Sequence, residues 1–364
     1  MRVLICPDKF AGTLSAPDVA EALRAGWASV AAADEIVCRP LADGGPGFLE
    51  VLGVLGGSVL PVATTDPLGR PVPGSVLLVG STAYVESAQA TGLHLLTEAE
   101  RDPNVTSSHG LGLLVRAAVD AGATEVVIGL GGSATNDAGA GMLAALGLVP
   151  VDADDVPLPP GGAALARCAA LVGSPKLDGV TLVAATDVDN PLAGLHGASN
   201  VFGPQKGASR EDVLRLDAAL ERFGGVLGNG VDKAPGAGAA GGIGAAIFAL
   251  GGRRESGIDL VRALIGLDAA MDGVGLVITG EGSFDAQSLR GKVVSGVAEA
   301  AAEQGAPCVV VAGRSTVGRK EAASAGITEI HSLVEHFGDV GRAMAEPSVG
   351  LFAIGARLAE QWGR

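Results

Sequence analysis

The sequence predicts an α/β fold with a largely parallel sheet, and three observations support this prediction. Apolar runs that are typical of buried strands alternate with helical segments from the first residues onward. Aromatic residues make up 3% of a chain that is 48% hydrophobic, so the core must be mostly Ala, Val and Leu, as in sheets covered by helices. The 57 glycines are spread over 364 residues without a period, which indicates turns and ligand loops between regular elements.

The first part of the chain has the pattern strand, helix, strand, helix. Residues 2–6 form an apolar strand, and Ser15 is suited to cap a helix that runs to about Val30. A second strand at 36–38 is followed by a helix over 48–55. From 58 to 87, three short strands separated by turn signals replace this pattern. They predict an antiparallel meander and hence an inserted or second domain.

The rest of the chain again alternates strands with helices, and its length leaves room for two domains. The predicted strands are 125–130, 180–185, 276–279, 308–312 and 327–333. The predicted helices are 110–121, one that begins at 142, 211–224, 245–250, 294–304 and 348–361.

A glycine-rich segment with the sequence IGLGGSATNDAGAGM joins the strand at 125–130 to the helix that begins at 142. Its candidate ligand-binding residues are Gly131, Gly132, Ser133, Ala134, Thr135 and Asn136. Glycine lets backbone N–H groups approach a ligand closely, and a helix N-terminus carries partial positive charge. The segment therefore predicts an anion site, most often for phosphate. The alternative is a turn that needs glycine only for its geometry, and the spacing matches neither a Walker loop nor a dinucleotide fingerprint.

Most predicted strands are followed by a loop that combines glycine with a charged or amide side chain. These side chains are Asp8 and Lys9, Asp43, Asn136 and Asp137, Asp187 and Asp189, Asp285 and Lys292, and Arg314. If the strands share one sheet, the loops would line a polar cleft at its carboxyl edge. Asp and Gly are also ordinary turn residues, so any single loop could be no more than a turn.

Glycine loops, carboxylates and a few cations together suit phosphoryl transfer, in which carboxylates hold Mg²⁺ and cations absorb developing charge. Asp187 and Asp285 follow apolar strands and are candidates for metal ligand or catalytic base. Lys206 and Lys292 lie beside glycines, as phosphate-contacting lysines often do. Lys292 could instead cap a helix, and for Lys206 a structural role is equally compatible with the sequence.

The formal net charge of −15 argues against nucleic acid or an anionic membrane as a partner. The four cysteines are far apart and lack zinc spacing, which indicates free thiols in a reducing cytoplasm. The apolar part of the N-terminus is too short for a signal peptide. We therefore expect a cytoplasmic protein with a small-molecule substrate. The sequence is compatible with a homodimer and does not give the oligomeric state.

Eight motifs occur in a fixed order, and together they closely resemble the bacterial type I glycerate kinases from end to end. The motifs are PDKFAGTLSA, ADGG, IGLGGSATNDAGAGM, TDVDNPL, FGPQKGAS, GAAGGIGAA, VITGEGSFDAQSLRGK and VAGR. The resemblance implies an ATP- and Mg²⁺-dependent kinase that phosphorylates D-glycerate, more commonly to the 2-phosphate than to the 3-phosphate. It also implies two α/β domains with the active site in the cleft between them.

The implied domains are a Rossmann-like parallel-sheet domain built from both chain ends, residues 1–60 and 258–364, and an inserted mixed-sheet α/β domain, residues 61–257. The strands near 126 and 182 could belong to either domain. The residues expected at the nucleotide phosphates are Gly131, Gly132, Ser133, Ala134, Thr135, Asn136, Gly241, Gly242 and Gly282. Those expected at the acceptor are Asp8, Lys9, Asp43, Lys206 and Arg314. The catalytic candidates are Asp187, Asp285 and Lys292, with Asp187 or Asp285 holding Mg²⁺.

Four of the usual family motifs are altered, and each alteration removes polar or charged groups. Ala11 stands where the family has Lys, and Ser283 stands where it has Arg. Pro46 and Phe48 replace a Glu and a Thr, and Leu111 and Leu113 replace a Thr and a Glu. A second hypothesis is therefore a diverged paralogue that acts on another small hydroxy acid, or that binds nucleotide without efficient catalysis. A third hypothesis is a nicotinamide-dependent oxidoreductase with a Rossmann core.

Overall fold

The structure is a computed structural model that describes residues 1–177, 179–286, 288–289 and 293–363. Its strands are β1 (Arg2–Ile5), β2 (Glu35–Cys38), β3 (Ser58–Thr65), β4 (Pro71–Val79), β5 (Thr82–Glu86), β6 (Glu125–Gly129), β7 (Leu148–Val151), β8 (Ala170–Gly173), β9 (Thr181–Ala185), β10 (Arg253–Glu255), β11 (Leu276–Phe284), β12 (Cys308–Ser315) and β13 (Ile327–Ser332). Its helices are α1 (Ala16–Val30), α2 (Phe48–Leu52), α3 (Ala88–Thr91), α4 (His109–Asp120), α5 (Ala140–Ala145), α6 (Ala198–Phe202), α7 (Arg210–Leu227), α8 (Ala239–Ala249), α9 (Gly257–Leu264), α10 (Leu267–Met271), α11 (Val293–Glu303), α12 (Arg319–Ser324), α13 (Leu333–Phe337), α14 (Val340–Ala345) and α15 (Pro347–Trp362).

The chain divides into two compact units. The first contains Met1–Ala42, Glu50–Val54 and Ile258–Arg364, and the second contains Asp43–Leu49 and Leu55–Gly257. A boundary between residues 60 and 61 would cut β3, whereas the observed crossing between Val54 and Leu55 precedes that strand. Both β6 and β9, which the sequence left unassigned, belong to the second unit.

The first unit contains a five-stranded sheet in the order β13-β12-β11-β1-β2, and all its neighbouring strands are parallel. Its buried core combines strand residues such as Val3 and Ile278 with Trp27 of α1 and Leu351 of α15. Helices α1 and α15 approach closely at Gly26, where any Cβ would overlap the carbonyl oxygen of Phe352.

The second unit contains a six-stranded sheet in the order β10-β9-β6-β5-β4-β3 and a two-stranded sheet of β7 and β8. Strands β3, β4 and β5 form the antiparallel meander that the sequence predicts, while β5, β6, β9 and β10 are parallel. Short β10 escaped sequence analysis because Arg253-Arg254-Glu255 carries no apolar pattern. The α/β class with parallel and mixed sheets is confirmed.

Two expectations about the strand ends are wrong. The loops thought to share one sheet edge are divided between two sheets, because β1, β11 and β12 belong to one sheet and β6 and β9 to the other. The segments after residues 279 and 312, including Gly282 and Arg314, are not loops. They continue β11 and β12, whose parallel register extends to the pair Phe284 and Ser315. Pairing between neighbouring strands overrides the glycine turn signals here.

Across the described residues, the structure contains no helix of the length and apolarity needed to span a membrane.

Candidate functional site

The glycine-rich connection between β6 and α5, residues 130–139, is called the central loop here. The carboxylate of Asp137 accepts hydrogen bonds from the N–H groups of Gly139 and Gly141 at 3.1 and 3.2 Å. It also accepts from the N–H and hydroxyl groups of Ser108, each at 2.8 Å. Burial raises the pKa of Asp137, and these hydrogen bonds act in the opposite direction. The start of α5, which the sequence predicted as the anion site, is therefore occupied by a side chain of the protein.

Lys206 is enclosed by the central loop, with 2% of its surface exposed. Its Nζ donates to the hydroxyl of Ser133 at 2.9 Å and to the carbonyl oxygen of Thr135 at 2.7 Å. Burial lowers the pKa of Lys206 to about 7, and the carboxylate of Asp137 opposes this shift. The expected contact between Lys206 and a substrate carboxylate is thus corrected, because its amino group is buried and donates to the central loop instead.

Only the first glycines of the central loop lie near solvent. Gly132 is exposed and Gly131 is partly exposed, whereas Ser133, Ala134, Thr135 and Asn136 are buried. A Cβ at Gly131 would lie 2.5 Å from the Cα of Gly45, so the absence of a side chain permits this close packing. Gly131 and Gly132 are therefore the part of the loop that an anion can reach.

The glycine motif GAAGGIGAA at the start of α8 packs against the central loop. Gly241 and Gly242 interrupt α8 with φ angles of 71° and 97°. A Cβ at Gly241 would overlap the carbonyl oxygen of Thr135, and one at Gly242 would lie 2.6 Å from the Cα of Ala138. Both glycines are buried. Their observed role is backbone packing, and the expected exposure to nucleotide phosphates is not seen.

Two exposed aspartates lie near the carboxyl end of β9. Asp187 accepts a hydrogen bond from the Ser256 hydroxyl at 2.7 Å, and Asp43 accepts one from the N–H of Gly45 at 3.0 Å. A Cβ at Gly257 would overlap the Asp43 carbonyl oxygen and lie 3.4 Å from Asp187 Oδ2, so the backbone of Asp43 and the carboxylate of Asp187 both lie close to this glycine. No group of three or more metal-binding side chains occurs among the described residues. Either carboxylate nevertheless suits Mg²⁺, which uses one or two carboxylates together with substrate phosphates.

The segment 43–47 that carries Asp43 is fixed by a residue that sequence analysis missed. Glu86 ends β5 and is buried, and its Oε2 accepts hydrogen bonds from the N–H groups of Gly47 and Leu49 at 3.1 and 3.3 Å. The signal was available, since Glu86 is a carboxylate directly after the apolar residues Ala83, Tyr84 and Val85. Ser256 follows β10 and could not be found because that strand was not predicted.

A cavity of about 460 Å³, called the first-unit cavity, lies at the carboxyl ends of β1, β11, β12 and β13. Five predicted site residues line it, namely Asp8, Lys9, Gly282, Asp285 and Arg314. Lys9 Nζ lies 3.7 Å from Asp8 Oδ1, and Arg314 Nε donates to the hydroxyl of Ser283 at 3.1 Å. Ala11 and Ser283, two of the departures from the family motifs, also line this cavity. Lys292 lies outside the described residues.

A larger cavity of about 630 Å³ lies within the second unit, and none of the predicted site residues lines it. Asp66, Ser107 and His109 line it together with several prolines, and none of its described lining residues is Lys or Arg. Because a phosphorylated ligand needs nearby cations or free N–H groups, size alone does not make this cavity the better candidate.

The whole sequence is similar to known glycerate kinases. The chain matches the glycerate kinase family over residues 3–363. It is 40% identical over 354 residues to the glycerate 2-kinase of Escherichia coli strain K12, which covers 94% of this chain and 93% of the relative. It is 39% identical to the glycerate kinase of Bacillus subtilis strain 168, which covers 92% of this chain and 90% of the relative.

A crystal structure from Salmonella typhimurium LT2, described as that of a "putative glycerate kinase 2", superimposes with a TM-score of 0.81 at 36% identity. The superposition covers 99% of this chain and 98% of the other. These matches leave the nicotinamide-dependent alternative without support. With the family matched over nearly the whole sequence, and relatives near 40% identity covering more than nine-tenths of it, this enzyme belongs to the glycerate kinase family.

Proposed function

We propose that the protein is a type I glycerate kinase that uses MgATP to phosphorylate D-glycerate, with the 2-phosphate favoured over the 3-phosphate. The observation that carries this proposal is the end-to-end similarity to a protein named glycerate 2-kinase. The first-unit cavity adds support, because it brings Asp8, Lys9, Asp285 and Arg314 together.

In the proposed reaction, a glycerate hydroxyl oxygen forms a bond with the γ-phosphorus of ATP. The bond between that phosphorus and the β,γ-bridging oxygen breaks, and ADP leaves. The hydroxyl proton passes to a carboxylate, for which Asp187 and Asp285 are the candidates. Lys292 remains the candidate cation for the transferred phosphoryl group.

Mg²⁺ would neutralise charge on the phosphate oxygens during transfer. The residues fit such an ion, since Asp187 is an exposed carboxylate at a strand end and the backbone of exposed Asp43 lies close to the same glycine, Gly257. Asp285 is partly exposed and lines the first-unit cavity, so it is a second candidate ligand. Gly131 and Gly132 would present backbone N–H groups to an anion. The cleft implied by the family resemblance stays a prediction.

A coupled ADP-release assay with MgATP tests the proposal. We expect turnover that depends on D-glycerate and is much weaker with L-glycerate or lactate. Turnover on a different hydroxy acid would keep the reaction type and change the acceptor. Absence of any acceptor-dependent ADP release would overturn the proposed activity.

The diverged-paralogue alternative is favoured by one observation. Ala11 and Ser283 replace charged family residues on the wall of the first-unit cavity. Calorimetry separates the two hypotheses, because the paralogue would bind ATP without transferring its phosphate to glycerate.

A further inference from the structure

The first-unit cavity has two chemically different walls. One wall carries charged side chains, including Lys9 and Arg314. The other is apolar and is formed by Leu333, Val334, Val340, Ala343 and Met344 of α13 and α14. Val340 and Met344 are 55% and 59% exposed, so the cavity presents an apolar face that nothing in the described chain covers.

The cavity lies where the strand order of the sheet reverses. From β1 the chain continues to β2 on one side, whereas β11 on the other side of β1 is followed outward by β12 and β13. All five strands are parallel, so their carboxyl ends lie along one edge. Asp8 and Lys9 follow β1, and Gly282 and Asp285 lie at the end of β11, on the two sides of this reversal. Open parallel sheets bind their ligands in the crevice at such a point.

The size and lining of the cavity discriminate between the two reactants. Its volume of about 460 Å³ lies within the range of roughly 300–1,000 Å³ that is usual for drug-sized ligands. D-Glycerate is a three-carbon acid with a polar group on every carbon, so it would fill little of this space. It also has no apolar surface with which to cover Val340 and Met344. ATP has a flat base with apolar faces and a polyphosphate chain, which matches the two walls.

The acidic residues of the cavity are compatible with this ligand. Asp8 and Asp285 would repel a bare anion, but nucleotides react as Mg²⁺ complexes and carboxylates are favoured ligands of Mg²⁺. Arg314 bonds through Nε to Ser283, and its two terminal nitrogens have no partner within the described part of the chain. A guanidinium group in this state is well suited to phosphate oxygens.

We propose that the first-unit cavity binds the nucleotide of the reaction, with the base against Val340 and Met344 and the phosphate chain towards Lys9 and Arg314. This inference rests on the proposed kinase function. It changes the sequence-based assignment, in which Asp8, Lys9 and Arg314 held the acceptor.

Calorimetry with MgADP in the absence of acceptor tests the proposal with a matched pair of variants. Met344→Glu places a carboxylate on the apolar wall. Val349→Glu introduces the same charge on α15, at a residue that is also 59% exposed but does not line the cavity. We expect Met344→Glu to weaken MgADP binding by about tenfold or more, and Val349→Glu to leave it unchanged. With saturating ATP, the KM for D-glycerate of Met344→Glu should stay within about twofold of wild type.

Arg314→Gln supplies a second variant on the charged wall, in case circular dichroism shows that Met344→Glu does not fold. We expect it to weaken MgADP binding by about fivefold or more, since one charge-assisted contact is lost. A raised KM for D-glycerate with unchanged MgADP affinity would overturn the proposal and assign the cavity to the acceptor. Equal MgADP affinities in Met344→Glu, Arg314→Gln and wild type would also overturn it. A wild-type protein that binds MgADP but fails to phosphorylate glycerate would contradict only the proposed function.

Discussion

Replacing Lys206 by Met should alter how protein stability depends on pH. Burial lowers the pKa of Lys206 from its ordinary value of 10.5 to about 7, so the folded state disfavours the charged form. Between these two values the unfolded chain binds more protons than the folded chain. The free energy of unfolding of the wild type should therefore rise as pH increases through this window. Asp137 is the charged side chain that opposes the shift.

The shift of 10.5 minus about 7 corresponds to roughly 5 kcal/mol at about 1.4 kcal/mol per pH unit. A neutral amine retains two N–H donors, which suffice for the Ser133 hydroxyl and the Thr135 carbonyl oxygen. Met removes both bonds, at a cost of about 1–3 kcal/mol for each buried acceptor. Met also removes the free-energy cost of burying a charged ammonium group, which is largest below pH 7. Between pH 7.5 and 9.5, the wild type should therefore gain about 2–3 kcal/mol relative to Lys206→Met.

Urea unfolding followed by circular dichroism at several pH values measures this difference. Lys233 is exposed, so Lys233→Met is the matched control and should follow the wild-type pH dependence. If the wild type and Lys206→Met give parallel curves over the whole window, then Lys206 does not titrate as a buried amine. That result would refute a buried, largely uncharged Lys206 inside the central loop.

Three further predictions concern catalysis, packing and thiol reactivity. Asp187→Asn should lower kcat at least about 100-fold in the ADP-release assay if Asp187 is the base. Asp189 lies two positions later and is also exposed, and Asp189→Asn should change kcat little. Gly241→Ala should lower the free energy of unfolding by about 2–5 kcal/mol, because its Cβ would overlap the Thr135 carbonyl oxygen. Gly251 also has a positive φ, 81°, but a Cβ there meets open space, so Gly251→Ala should lower it by only about 1–2 kcal/mol. Thermal unfolding measures both changes. Burial raises the pKa of Cys308 to about 12, so a disulfide reagent at pH 8 should modify this thiol only after unfolding.

Local patterns in the sequence were sufficient to predict most strands and helices. Residues 126–128 (Val-Val-Ile) and 182–185 (Leu-Val-Ala-Ala) are apolar runs, so the buried strands β6 and β9 were predicted at 125–130 and 180–185, each within one residue of its observed ends. The partition into two sheets was not predictable from such patterns, because it depends on which strands pair. For the same reason the segments around Gly282 and Arg314 were expected to be loops.

The functional site shows the same limit at the level of side chains. The residues of the central loop are recognisable in the sequence, but the directions of their side chains are not. The hydrogen bond from Lys206 to Ser133 spans 73 positions, and the Asp137 bond to Ser108 spans 29. Long-range contacts of this kind turn the polar side chains inward and leave Gly131 and Gly132 near solvent. No local pattern distinguishes a lysine that binds substrate from one that supports a loop.

One departure from the family motifs has a clear structural explanation. Phe48 is fully buried, and its ring lies 6.4 Å from that of Tyr84 in an edge-to-face arrangement. A Cβ at Gly129 would lie 2.8 Å from this ring, so the aromatic side chain packs directly on the end of β6. Phe48 therefore contributes to the core of the second unit and not to a polar surface.

The most direct test of the central claim follows the γ-phosphate of ATP itself. ATP that carries ¹⁸O on its γ-phosphate is incubated with Mg²⁺, D-glycerate and the enzyme. The products, and the isotope shift that marks the transferred phosphate, are identified by ³¹P NMR. The account predicts that the label appears in phosphoglycerate, mainly at the 2-hydroxyl, with one ADP formed for each labelled product. Label that remains in ATP, or that is released only as inorganic phosphate whether or not glycerate is present, would contradict it.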